Sequence, residues 1–203
     1  KDICRTYKVN ILGGDTVTSQ EGAVITVAAF GEIEAGKALL RSGAQAGDVV
    51  AVSHTIGNSG AGLDVMLHGA DGYDELKKAH RFPEPQIALG RLLVKHHCHS
   101  LNDISDGLAS EANEIAKASG VRLVLQYEDL PISEELQRWA AASGTQAGKF
   151  VFTGGEDYEL VFTMSSADFA QLQAEFPAVT TIGTVEAGPA EVVLCQGGKR
   201  ELL

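Results

Sequence analysis

The sequence predicts a mixed α/β (α+β) protein in which helices cover a sheet. Short runs of aliphatic and β-branched residues alternate with amphipathic stretches of helical period, and glycines or prolines separate them. No internal repeat or low-complexity tract is present. With 203 residues, 44% of them hydrophobic, the chain can bury a substantial core.

The first fifty residues alternate extended and loop patterns. Residues 7–12 and 23–30 are extended and rich in β-branched side chains, which predicts two strands joined by a loop. A short helix is predicted over 34–41, ended by Ser42-Gly43, and a buried strand over 49–53.

The remainder alternates helical and extended patterns. The helices are predicted at 58–68, 87–97, 105–119, 133–142 and 167–176. The strands are predicted at 121–127, 150–153, 160–163, 182–186 and 192–194, with a hairpin turn at 197–198.

Charge and composition exclude several classes of protein. A net charge of -11 argues against a nucleic-acid partner, because binding a polyanion requires a basic face. No apolar run approaches the roughly 18 residues that a membrane span needs, so neither a membrane nor a secretory segment is predicted. Three widely spaced cysteines suggest reduced thiols, and we expect a cytoplasmic protein.

The most informative motif is Asn102-Asp103-Ile104-Ser105-Asp106-Gly107, which lies just before a strongly helical run. Its carboxylates are ligands that Mg²⁺ prefers, and a serine at a helix start can contact an anion such as phosphate. The alternative is simple helix capping by Ser105 or Asp106. An acidic protein that handles phosphate needs metal ions to neutralise its own carboxylates.

Two shorter features fit the same chemistry. Gly13-Gly14-Asp15-Thr16 would let the backbone approach a phosphate closely while Asp15 binds a metal, although taken alone the motif is more typical of an ordinary turn. Arg41 can pair with a phosphate, or simply stabilise the C-terminus of the predicted helix.

A third motif, Thr153-Gly154-Gly155-Glu156-Asp157-Tyr158-Glu159-Leu160, places three acids around one tyrosine ahead of a strand. Acids are disfavoured in strands, so either solvent or a ligand must face them. One interpretation is a solvated sheet edge. The other is a pocket rim in which a carboxylate meets a cationic ligand and Tyr158 offers a flat face.

Two further features carry open or negative interpretations. The glycines of residues 57–62 form an anion-binding helix start or only permit close helix packing, and no P-loop lysine follows them. The run His96-His97-Cys98-His99 has the wrong spacing for a helical zinc site and is expected to be an exposed helix end.

Taken in order, these motifs, together with 41–48 and Pro83-Glu84-Pro85, resemble those of thiamine-monophosphate kinases. That family belongs to the aminoimidazole ribonucleotide synthetase-like ATP-binding superfamily. The resemblance implies a C-terminal α/β domain over residues 34–203, with a mixed sheet covered by helices. Residues 1–33 would be a remnant of the N-terminal ATP- and Mg-binding domain, including some of its strands.

The resemblance also implies an activity, cofactors and site residues. The reaction would be Mg²⁺-dependent transfer of the γ-phosphoryl group of ATP to thiamine monophosphate by a homodimer. The implied metal ligands are Asp15, Asp103 and Asp106. The implied ATP contacts are Gly14, Asp15, Arg41 and Ser105, and the implied substrate contact is Glu156. No residue is expected to act as a general base, since the acceptor phosphate is already ionised.

Some positions depart from the family pattern. Gln86 stands where an arginine is more usual, and Asn102 where an apolar residue is expected. An N-terminal segment and a C-terminal aromatic residue of the family are missing, so we expect residues 1–203 alone to have little or no kinase activity. The alternatives are a related superfamily ATPase with another acceptor and a non-catalytic metal-binding fragment.

Overall fold

The computed structural model describes residues 2–203, which divide into two compact units. The first extends to Ile33 and the second spans Glu34–Leu203. None of the helices in residues 2–203 is long and apolar enough to cross a membrane.

From residue 2 onwards, the first unit contains one short helix, α1 (Asp2–Thr6). The strands predicted at 7–12 and 23–30 are wrong, because the backbone there pairs with no other strand of the described chain. Ile11 and Ile25 are 72% and 89% exposed. A β-branched sequence becomes a strand only when a neighbouring strand and a surface to pack against are available.

The second unit is built on a seven-stranded sheet of order β2-β4-β1-β5-β3-β6-β7. All neighbouring strands are antiparallel except β3 and β6, which are parallel. The strands are β1 (Val49–Ser53), β2 (Ser100–Asp103), β3 (Arg122–Gln126), β4 (Leu160–Met164), β5 (Val179–Glu186), β6 (Glu191–Gln196) and β7 (Lys199–Leu202). The predicted mixed α/β class with a helix-covered sheet is confirmed.

Seven helices accompany this sheet. They are α2 (Asn58–Leu67), α3 (Asp74–Arg81), α4 (Ile87–Lys95), α5 (Leu108–Ser119), α6 (Glu134–Ser143), α7 (Ala147–Thr153) and α8 (Ser166–Glu175). On one face of the sheet, α5 packs its Leu108, Ile115 and neighbouring residues against β1, β3, β5 and β6. On the other face, α4 and α8 bury Leu89, Leu93 and Leu172.

Successive side chains of β4 point to opposite faces of the sheet, so the sheet lies between these two layers of helices. Val161 belongs to the core under α5, whereas Leu160, Phe162 and Met164 belong to the core under α4 and α8. This is the two-residue period of a strand buried on both sides. A third apolar cluster joins α2, α3, α6 and α7 around Trp139, whose Nε1 donates to Asp64 Oδ2 at 2.9 Å.

Three further differences from the predicted elements concern helices. No helix forms over 34–41, and Arg41 lies in an irregular segment. The strand predicted at 150–153 is the end of α7, in which Phe150 packs in the cluster around Trp139 and Val151 in the core under α5. Helix α3 was missed, although two acids in its first turn and basic residues in its last are a recognised helix signature.

Candidate active site

The two longest motifs of the sequence lie side by side in the fold. Residues 102–107 comprise the end of β2 and the loop after it, while 154–160 lead into the start of β4, and the antiparallel pairing of these strands continues beyond their ends. The Ile104 N–H donates to the carbonyl of Glu159 at 2.7 Å, and the Ile104 carbonyl accepts from the Tyr158 N–H at 2.9 Å. Sheet pairing therefore brings the predicted metal motif to the predicted substrate motif.

Two glycines permit this approach. A Cβ at Gly155 would lie 2.3 Å from the Ser105 carbonyl oxygen, which itself accepts from the Glu156 N–H at 2.9 Å. A Cβ at Gly107, whose φ is 98°, would lie 2.6 Å from the carbonyl of Phe152. Since backbone atoms cannot move aside as a flexible side chain can, both positions require glycine.

Helix α5 starts at Leu108, so Ser105 lies in the loop before it rather than in its first turn. No side chain caps this helix start through a hydrogen bond. The capping alternative for Ser105 and Asp106 is therefore wrong, and both residues lie at a bend in the loop between β2 and α5.

The charges of three carboxylates act on one hydroxyl at this surface. The Tyr158 hydroxyl donates to Glu156 Oε2 at 2.8 Å, and this bond is the main reason that the pKa of Tyr158 is raised. Partial burial raises the pKa further, as do the charges of Glu156, Asp103 and Asp106. The structure thus brings Asp103, Asp106 and Glu156 within electrostatic reach of a single group.

The 154–160 segment also has an unusual backbone conformation. Glu156 and Tyr158 have φ values of 68° and 53°, in the left-handed region that residues with a side chain rarely adopt. Such residues persist only where the surrounding structure holds them, and they cluster at functional sites. Here the hydrogen bonds to Ile104 and Ser105 hold them.

The donor set suits a hard divalent cation that shares its coordination with phosphate. Asp103 and Asp106 are exposed carboxylates on one loop, whereas no group of three acidic, histidine or cysteine residues within 2–203 is arranged to hold a metal. Mg²⁺ commonly takes one or two protein carboxylates and completes its shell with phosphate and water. Asp103 and Asp106 fit that role.

Asp15 and Gly14 belong to the first unit. Asp15 Oδ1 accepts from the Thr16 N–H at 2.8 Å, and a Cβ at Gly14 would meet no atom within 4 Å. Their roles as metal ligand and ATP contact stay predictions.

A polar network that the sequence did not indicate lies beneath the loop. Arg41 Nε donates to Asn102 Oδ1 at 3.0 Å, and Asn102 Nδ2 donates to Glu111 Oε2. Glu111, only 3% exposed, accepts at Oε1 from the Asp106 N–H at 3.3 Å and the Ser105 hydroxyl at 3.4 Å. The network links Arg41 to the loop, so three predicted site residues of this unit, Arg41, Ser105 and Asp106, connect here.

Electrostatics show that Glu111 lies close to the exposed acids. Burial is the first cause that raises the pKa of Glu111, and the negative charges of Asp103 and Asp106 raise it further. The Asp106 N–H and the Arg41 guanidinium lower it. A glutamate at position 111 resembles an ordinary helix residue in the sequence, and only the fold reveals it as buried.

With this geometry established, comparison with known proteins identifies the domain. Residues 45–196 match the family described as AIR synthase related protein, C-terminal domain. The chain belongs to this family.

Individual relatives of this AIR synthase related domain are thiamine-monophosphate kinases. The chain is 37% identical over 208 residues to that of Bacillus subtilis (strain 168), covering 95% of this chain and 62% of the relative. The chain therefore spans less than two thirds of the length of this relative. Among solved structures, the thiamine-monophosphate kinase of Stenotrophomonas maltophilia K279a superposes with a TM-score of 0.73 at 30% identity, covering 80% of this chain and 54% of that one.

A second structure shows ligands in such a relative. AaThiL complexed with AMPPCP and TMP superposes with a TM-score of 0.70 at 34% identity, covering 79% of this chain and 51% of that one. The resemblance stated from the sequence motifs is confirmed.

Asp157, on the other side of the 154–160 segment from Glu156, has a structural role in this domain. Asp157 Oδ2 accepts from the Gly57 N–H at 2.6 Å and Oδ1 from the Ser59 N–H at 2.9 Å. Asp157 thus caps the start of α2 with its carboxylate. Burial raises the pKa of Asp157 to about 6, against the lowering effect of the two amides and with a small raising contribution from the charge of Glu159.

The open question about the glycines of 57–62 is thereby answered. The amides at the start of α2 already bind Asp157, so they do not form a free anion site. A Cβ at Gly60 would lie 2.9 Å from the Gly154 Cα, and one at Gly62 would lie 2.0 Å from the Leu76 carbonyl. These glycines permit close packing of α2.

The histidine run also has structural partners. His96 Nε2 lies 2.9 Å from Glu175 Oε2, and His99 Nδ1 lies 2.9 Å from Asp48 Oδ2. The expectation of an exposed helix end is wrong for His96, which is 8% exposed. Each of these two rings is oriented by its own carboxylate, and the two carboxylates are different.

Proposed function

We propose that the whole protein transfers the γ-phosphoryl group of ATP to thiamine monophosphate and so forms thiamine diphosphate, with Mg²⁺. One observation carries the proposal: two exposed aspartates, a serine and a glutamate from distant motifs share one surface, in a chain 37% identical to a thiamine-monophosphate kinase. The relative complexed with AMPPCP and TMP supports the choice of donor and acceptor.

The residues of this chain have distinct proposed roles. Asp103 and Asp106 would hold Mg²⁺ in the second unit. Asp15, in the first unit, is likewise a proposed Mg²⁺ ligand. Mg²⁺, when bound, neutralises charge on the phosphates. Ser105 and Arg41, with Gly14, would contact ATP.

Glu156 is the proposed substrate contact. Its carboxylate lies at the surface beside Tyr158, so it can meet a cationic or amine-bearing ring system. The acceptor oxygen of a phosphate is already ionised near neutral pH. Positioning and charge neutralisation then suffice, and no general base is needed.

Domain organisation and context belong to the same proposal. Residues 1–33 would be the remnant of an N-terminal ATP- and Mg-binding domain, and 34–203 the C-terminal domain. The intact protein would be a cytoplasmic homodimer without nucleic-acid or membrane partners. The three free cysteines, Cys4, Cys98 and Cys195, are consistent with a reducing compartment.

The test is thiamine diphosphate formation by the whole protein with ATP, Mg²⁺ and thiamine monophosphate. D106N and E156Q should each lower kcat/KM by about 100-fold or more, as expected when a metal or substrate contact is lost. D71N, which removes an exposed carboxylate at a bend between α2 and α3, is the matched control and should retain activity.

Three results would contradict the proposal. One is full activity of D106N. Another is a preference for a different phosphate acceptor in a substrate panel, which would favour the related ATPase. The third concerns the shorter chain: residues 1–203 alone should show little or no activity, so robust turnover by them would refute the proposed need for further segments.

A further inference from the structure

We propose that Glu111 is a positioning residue that holds the loop 103–107 and, through Asn102, ties the loop to Arg41. The inference rests on the proposed function, because it assigns a task to residues that touch neither ATP nor metal. Glu111 is buried and lies on α5, the helix that follows the loop.

The direction of each hydrogen bond in this network is fixed by chemistry. An arginine Nε can only donate, so the oxygen of the Asn102 amide faces Arg41 and its nitrogen faces Glu111. An ionised carboxylate can only accept hydrogen bonds. One oxygen of Glu111 therefore accepts from Asn102, and the other accepts from the loop.

The loop end of the network controls how the site residues are presented. Glu111 Oε1 accepts from the backbone of Asp106 and from the hydroxyl of Ser105. These bonds engage the inner side of the loop, while the side chains of Asp103 and Asp106 remain exposed. If Glu111 is altered, the loop loses its internal acceptor.

The hydrogen bonds of Asn102 explain why this position departs from the family pattern. An apolar residue at this buried position would leave Arg41 Nε and one Glu111 oxygen without their present partner. With asparagine, a continuous chain of hydrogen bonds runs from the proposed phosphate contact Arg41 to the proposed metal loop. Binding at one end therefore favours the ordered conformation of the other.

The polarity of the network allows a reciprocal test. In E111Q the side-chain amide cannot accept from both Asn102 and the loop, so one bond is replaced by two opposed N–H groups. In N102D two buried carboxylates face each other. In the double variant E111Q/N102D, Asp at position 102 accepts from Arg41 and from the new glutamine, whose oxygen again accepts from the loop.

Amide hydrogen exchange, followed by NMR without nucleotide, reads the loop directly. E111Q should accelerate exchange of the Asp106 amide by about tenfold or more, as expected on losing a bond to a charged acceptor. The Ile104 amide, which donates to a backbone carbonyl, should not change and reports any general destabilisation. The double variant should restore Asp106 protection.

E114Q is the matched control, since Glu114 is on the same helix, lies 3.8 Å from Arg41 and has no bond to the loop. It removes the same charge and should leave Asp106 exchange unchanged. An unchanged Asp106 amide in E111Q, or a double variant no better than the single ones, would overturn the positioning role.

Calorimetry with ATP and Mg²⁺ separates this inference from the proposed function. The dissociation constant should rise by about tenfold in E111Q and return to within about threefold of wild type in E111Q/N102D. If the wild-type whole protein binds no ATP, the proposed function fails and the exchange result alone decides the role of Glu111. If E111Q weakens ATP binding without changing exchange, the inference is refuted.

Discussion

The buried carboxyl of Asp157 should make the stability of the domain depend on pH in a defined direction. Burial raises the pKa of Asp157 from 3.8 to about 6, so the folded state binds a proton more readily than the unfolded state. The contribution of this group to stability is therefore most favourable below pH 3.8. It is lost as the pH rises towards 6 and stays lost above that value.

The magnitude follows from the two pKa values. A rise from 3.8 to about 6 corresponds to an upper limit of about 3 kcal/mol in the free energy of unfolding. Asp157→Asn removes the titration, while all other groups titrate equally in both proteins. The wild type should therefore gain up to about 3 kcal/mol relative to D157N as the pH falls from 7 to about 4.

Urea unfolding at a series of pH values, followed by the emission of the single Trp139, measures this difference. Trp139 is 5% exposed, so its emission should shift to longer wavelength on unfolding. D71N, which alters an exposed carboxyl, should follow the wild-type curve. A wild-type minus D157N difference that stays constant between pH 4 and 7 would refute the reasoning.

Three further outcomes follow from the geometry. Gly155→Ala should cost about 1–3 kcal/mol in urea unfolding because its Cβ would overlap a backbone oxygen, whereas Gly90→Ala, in open space on α4, should stabilise by up to about 1 kcal/mol. Trp139→Phe should lower the thermal midpoint, since it leaves Asp64 without its indole partner at a cost of about 1–2 kcal/mol. Burial raises the pKa of Cys98 to about 12. In a variant whose other cysteines are serine, Cys98 should therefore react with a disulfide reagent at pH 8 at least about 100-fold more slowly in native than in denatured protein. Equal rates would contradict this.

Elements with a strong periodic pattern and clear boundaries were predictable from the sequence. Strand β1 and helices α2, α4, α6 and α8 lie within a few residues of their predicted bounds. The failures arise where propensity and context disagree. Residues 150–153 are β-branched and aromatic but form a helix, because packing against α2, α5 and α6 overrides weak strand preference.

The residues of the candidate site could be predicted from the sequence, but the residues that hold its loop in place could not. Asp103, Ser105, Asp106 and Glu156 stand out because their residue types cluster in short motifs, and pairing of β2 with β4 brings them together. Glu111 gives no such signal. A glutamate on an amphipathic helix is normally exposed, and its burial depends on Asn102 and a loop that is ordered only in the folded domain.

The acids at 156–159 show why composition alone left their role open. The four consecutive side chains divide between two sides of one segment: Glu156 and Tyr158 bond to each other at the surface, whereas Asp157 caps α2 and Glu159 bonds to Ser53 and His54. Neither the solvated edge nor the pocket rim describes all of them. Because Asp157 binds α2 from the segment that carries Glu156, the capping that stabilises the helix also fixes the backbone beneath the proposed substrate contact. Substitution at 157 should therefore disturb the position of Glu156 although the two side chains face apart.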